Sequence, residues 1–128
     1  MTAALRSRYQ SSAVETASPQ RLLVMLYDRL ALDLVRAEAA LGEGDRVEAS
    51  SQLMHAQDIV LELHSTLNPE VWEGAGALSS LYTWLYGEMV LANVKGDARR
   101  VADCRTVVEP LRDAWAEAAA ILSGQNAG

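Results

Sequence analysis

Four stretches of this chain return an apolar side chain every three or four residues, and between them lie only short breaks of Gly, Asp, Asn and Pro. That period is one face of an α-helix, so each stretch needs neighbours to cover it. The first begins at Ser18-Pro19, an N-cap residue followed by a proline whose missing N–H costs nothing at the first helical position. It carries Leu22, Leu26, Leu30, Leu34, Ala37 and Leu41, then stops at Gly42 and Gly44. Asp45 caps a second helix with Leu53, Ala56, Val60, Leu63 and Leu67 inward, ending before Asn68-Pro69. After a loop holding Pro69, Gly74 and Gly76, a third helix presents Leu78, Leu81, Tyr82, Leu85, Met89 and Ala92 and breaks at Gly96. Asp97 opens the fourth, with Val101, Cys104, Val108, Leu111, Trp115, Ala118 and Leu122 inward and Pro110 expected to kink it.

Helices joined by such short connections must pack antiparallel. The predicted fold is therefore all-α, an antiparallel up-and-down four-helix bundle over 18–123, with 1–17 as a mobile N-terminal arm and 124–128 as a disordered tail. Composition agrees: half of the 128 residues are apolar, enough for one core, and Phe is absent while Ala, Leu, Glu and Arg are common.

Charge and chemistry exclude several classes. A net charge of −6 without a Lys/Arg run is unsuited to a phosphate backbone, so no nucleic-acid partner is expected. No stretch reads as a signal peptide or a membrane span, which predicts a cytoplasmic protein without membrane insertion. Cys104 is the single cysteine and occupies an inner position as a small hydrophobe. His55 and His64, nine residues apart on one helix, face opposite sides and cannot share a metal; they read as surface or flanking residues. There is no Glu-x-x-His pair, phosphate loop or nucleophile elbow. No enzymatic activity, metal or cofactor is predicted, and Asp28 and Asp33 read as solvated or capping carboxylates.

The helices carry more apolar surface than one inner row requires. Val47, Met54 and Leu61 recur every seventh residue, well away from the Leu53 row. Trp84 and Leu91 do the same on the third helix, and Val107, Ala114 and Ile121 on the fourth. Two readings stand: a broad face meeting two neighbours inside a bundle, or part of a groove for a partner's amphipathic segment.

Four segments together resemble the FliS family of flagellin-specific export chaperones: TASPQRLLVMLYDRL (16–30), HAQDIVLELHSTLN (55–68), LSSLYTWLYGEMVLANVKGD (78–97) and LRDAWAEA (111–118). The resemblance spans Tyr9 to about Ala118. It implies a monomeric cytoplasmic bundle that binds the disordered C-terminal segment of flagellin one to one, blocks premature polymerisation and aids delivery to the flagellar type III export apparatus. An export-gate component or a flagellar regulator is left open as a second partner. On this reading Val47, Met54, Leu61, Trp84 and Leu91 contact the client, while Tyr9 and Val14 form an N-terminal lid. Tyr27, Tyr82 and Trp115 hold the bundle together, and Asn93 and Asp28 brace helix contacts. Arg29 departs from the family pattern, where Gly is frequent after the Tyr-Asp or Tyr-Asn pair. The alternative is a helical adaptor or homodimeric module unrelated to flagellin.

Overall fold

The computed structural model describes residues 18–68, 70 and 73–127. Among them are four helices and no strand: α1 (Pro19–Gly42), α2 (Arg46–Ser65), α3 (Ala75–Lys95) and α4 (Ala98–Ala127). Each boundary follows from local chemistry. Ser18 Oγ accepts the Arg21 N–H at 3.1 Å and Asp45 Oδ1 accepts the Glu48 N–H at 3.0 Å, satisfying first-turn donors that a helix start leaves open. Asp97 Oδ1 does the same for Arg99. Gly96 closes α3 in the left-handed region at φ +64°. A Cβ there would also come within 2.5 Å of the Arg46 guanidinium, so the position requires glycine for space as well as for conformation.

The helices form a closed ring in which each packs on the next and α4 returns to α1. Polar pairs mark all four seams. Asp33 meets His55 between α1 and α2, Asn93 meets Ser50 between α2 and α3, Glu88 meets Arg100 between α3 and α4, and Glu38 meets Arg105 between α4 and α1. Ser50–Asn93 with His64–Ser79, and Glu38–Arg105 with Tyr27–Trp115, run in opposite order along their helices, as an up-and-down bundle requires. The predicted inner rows fill the centre: Leu30, Leu34, Leu53, Ala56, Leu63, Leu85, Met89, Ala92, Val101, Cys104 and Val108 are buried. Each fully buried Leu or Met stabilises the fold by roughly 1.5–3 kcal/mol relative to exposure. Ile59, outside the expected row, is also fully buried.

Two expectations change at the far end. α4 runs through Pro110 and on to Ala127, into the stretch read from sequence as a tail, and its inward positions thin out: Ala118 and Leu122 are exposed. The cause is length. Glu88 lies level with Arg100, so Ala75, thirteen residues before Glu88 at the start of α3, falls level with Asp113. Beyond that point α4 has left α3 behind and keeps only the first turns of α1 beside it. The arm residues Tyr9 and Val14 lie outside the described residues.

Across the bundle, Tyr27 on α1 and Tyr82 on α3 join their hydroxyls at 2.6 Å, and both rings are buried. The Trp115 side chain on α4 also hydrogen-bonds to Tyr27, its ring centroid 6.3 Å from that of the tyrosine. Burial pushes both phenols above their ordinary range, which keeps them protonated and able to donate. Tyr27→Phe therefore orphans two partners and Tyr82→Phe one. Urea unfolding is expected to show a loss of about 1–3 kcal/mol, larger for Tyr27→Phe, with the double variant costing less than the two single losses added. Strict additivity would show that the hydroxyls do not act as a pair.

Candidate partner-binding faces

The seam contacts fix which way every outward side chain points. On α2, Ser50 and His64 reach α3, the latter through a 2.8 Å bond from His64 Nε2 to Ser79 Oγ. At about 100° per residue, Val47, Met54 and Leu61 lie a few tens of degrees further out on that same flank. Val47 is 84% exposed and Met54 57%, whereas Leu61 is half-buried. From α3 the residues turned to this side are Val90 and Val94, the latter 71% exposed. Together they make one apolar face along the α2–α3 seam. Val90 and Val94 were not singled out from sequence because α3 is apolar nearly all round, so no separate stripe stands out; their i, i+4 spacing opposite the Val47 row is the available signal.

Trp84 and Leu91, 42% and 38% exposed, do not join that face. On α3 they sit near Glu88, which reaches Arg100 of α4, and about 150° from Ser79 and Asn93, which reach α2. They form a second face with Val107, Leu111 and Ala114 of α4. The five residues expected to act as one site are thus divided over the two flanks of α3. Between the flanks, Gly87 lies on the outer ridge, and a Cβ at that position would meet nothing within 4 Å.

The first face is braced from below. Arg46 Nη2 donates to the carbonyls of Asn93 and Val94 at 2.9 and 3.2 Å, placing a cation on the last turn of α3 where the helix dipole favours it. Asn93 Nδ2 donates to Ser50 Oγ at 3.2 Å, and Ser50 Oγ–H donates to the Met54 sulfur at 3.8 Å. Asn93 thus braces α3 on α2, as the sequence reading had it.

The other flank of α2 corrects one expectation. Asp33 is fully buried rather than solvated, and His55, half-buried in the flanking position expected of it, bonds Asp33 Oδ2 through Nδ1. Arg29 Nε donates to Asp33 Oδ1 at 2.9 Å, so Arg29 balances a buried charge. Asp28 is exposed, which fits the solvated reading of this residue and not the bracing one. The signal for Asp33 was its spacing: Leu26, Asp33 and Ala40 recur every seventh residue, and all three are buried. Cys104 is buried and its thiol is pushed up to about 12, chiefly by desolvation. Among the described residues, no group of three or more His, Cys, Asp or Glu is placed to hold a metal ion, and no helix is long and apolar enough to cross a membrane.

A closed four-helix ring with polar pairs at every seam and apolar side chains left outside on both flanks of one helix is a helical bundle with uncovered apolar faces. The family model described as flagellar protein FliS matches residues 1–122, and the chain belongs to that family. It is 36% identical over 111 residues to the flagellar secretion chaperone FliS of Bacillus subtilis, covering 86% of this chain and 82% of that one. To the flagellar secretion chaperone FliS of Salmonella typhimurium it is 34% identical over 106 residues, covering 81% and 78%. A crystal structure of a bacterial flagellar chaperone shares the fold, with a TM-score of 0.72 and 21% identity over 90% of this chain and 94% of that one.

Asp33 supplies a pH test. Burial raises its pKa above 3.8, and the attraction of His55 and Arg29 offsets only part of that rise. A carboxyl whose folded pKa exceeds its unfolded one favours folding when protonated, so its ionisation costs stability as pH rises from the unfolded value through the folded one. Asp33→Asn carries no such cost. Its stability relative to the parent chain is expected to rise across that window and level off above it, read by urea unfolding between about pH 3 and about pH 7. A relative stability that falls with pH would mean that the attractions of Arg29 and His55 outweigh burial.

Proposed function

We propose that this chain is an export chaperone that holds the C-terminal segment of flagellin, keeps it from premature polymerisation and aids its delivery to the flagellar type III export apparatus. Membership of the FliS family supports the chaperone role. The observation that carries the finer reading is the pair of apolar faces on the two flanks of α3. A client that is disordered when free must offset its ordering cost with a long apolar contact. Two faces separated by a helix suit one chain binding at two points and crossing between them. The crossing point is the ridge at Gly87, where the missing side chain lets a second backbone approach closely. Trp84 supplies the largest area on its face, and Met54 adapts to irregular shapes on the other. The net charge of −6 opposes self-association, in keeping with a monomer that binds its client one to one.

Calorimetric titration with the C-terminal segment of flagellin from the same source tests this reading. Val47→Asp/Met54→Asp alters two largely exposed side chains, so the fold is spared while the first face acquires charge. Trp84→Asp/Leu91→Asp does the same to the second. Each pair is expected to weaken binding by about tenfold or more, with helical circular dichroism unchanged. Parent-like affinity in both folded variants overturns the assignment of the faces.

A further inference from the structure

Among the described residues, the accessible sulfur is a thioether and not a thiol. Cys104 is buried, and desolvation holds its thiol protonated, which removes the thiolate that oxidants attack. Of the methionines among the described residues, Met89 is fully buried in the core and Met25 is half-buried, whereas Met54 is 57% exposed. Met54 also stands in the middle of the α2–α3 face, four residues after the Ser50 hydroxyl that donates to its sulfur. That hydroxyl is itself held by Asn93, so the sulfur meets a fixed donor and not one that rotates freely.

We infer that Met54 is an oxidation-sensitive switch in the partner-binding face, converted to its sulfoxide by peroxide-class two-electron oxidants. In the step, a sulfur lone pair attacks one peroxide oxygen; the S–O bond forms as the O–O bond breaks, and the departing hydroxide takes up the proton released from the transferred oxygen. The thioether is oxidised by two electrons to the sulfoxide, and hydrogen peroxide is reduced to water. The product oxygen is a much stronger hydrogen-bond acceptor than the sulfur it sits on, and the Ser50 hydroxyl is already in place to donate to it. A polar, chiral group then occupies an otherwise apolar face, which a client offering apolar side chains cannot satisfy. Reversal needs a methionine sulfoxide reductase with its thiol reductant, one enzyme class for each sulfoxide epimer.

This inference rests on the proposed client-binding face, and the test separates the two. The full-length protein is treated with hydrogen peroxide, its peptides are mapped by mass spectrometry, and binding of the flagellin C-terminal segment is titrated before and after treatment. Oxygen is expected on Met54 well before Met25 or Met89, with affinity reduced by about tenfold, equivalent to about 1.4 kcal/mol, and restored by reductase treatment. Met54→Leu has no sulfur at that position to oxidise, so whatever its starting affinity it is expected to show no further loss through the same treatment, measured against the same variant untreated. Earlier oxidation of Met25 or Met89, unchanged affinity of the Met54-oxidised protein, or an equal loss in Met54→Leu overturns the switch. Failure of the untreated parent to bind overturns the reading of the face itself.

Discussion

Among the described residues, the hydroxyl of Tyr27 is a polar point that three helices share. Neighbouring helices of the ring are tied by their seams, but α1 and α3 stand diagonally and touch mainly through side chains that cross the core. The Tyr27–Tyr82 bond makes that crossing, and the Trp115 side chain brings α4 to the same atom. A buried hydroxyl is costly when unpaired and directional when paired, so this cluster accepts one relative rotation of α1, α3 and α4 and penalises others. Leucine rows alone tolerate repacking; they supply most of the free energy but little of the uniqueness. Because the rotation of α3 is fixed from inside, its two outer flanks are fixed as well.

Helix existence, order and inner rows were legible from the sequence because they rest on local period and on punctuation by Ser18-Pro19, Gly44-Asp45 and Gly96-Asp97, each of which has a physical role in the structure. What the period cannot state is which helix stands beside which flank. Val47, Met54 and Leu61 were correctly separated from the Leu53 row, yet grouping them with Trp84 and Leu91 required the hand of the ring, which is carried by contacts such as Asn93–Ser50 and Glu88–Arg100. Leu122 was assigned inward for a similar reason. Its spacing is right, but at that height α3 no longer stands beside α4.

The Asp33 seam shows another limit of pattern reading. An acidic residue on a helix is most often solvated, and that prior placed Asp33 outside. Here it occupies the Leu26 stripe and is held by Arg29 from its own helix and His55 from the next. Such a group contributes little net stability, because desolvation opposes both attractions. Its effect is discrimination: sliding α2 by one turn along α1 leaves the carboxylate without His55, a penalty that apolar neighbours at the same seam do not impose. Arg29 and Asp33 therefore have to be read together. A glycine at position 29 would leave the buried carboxylate with one partner fewer.

These constraints divide the labour within each helix. Free energy comes from the inner rows, register from the polar seams, and neither draws on Val47, Met54, Trp84 or Val94, which remain exposed. Side chains not needed by the fold are free to be apolar for another purpose, and a bundle that leaves them so on both flanks of one helix carries a standing risk of self-association. The net negative charge acts against that risk at long range, while a client that covers the faces removes it at contact. α3 is the helix on which this balance turns: apolar nearly all round, its inner side satisfied by the core and the carbonyls of its last turns held by Arg46 and the Asp97 N–H, it stays folded without its outer side being covered.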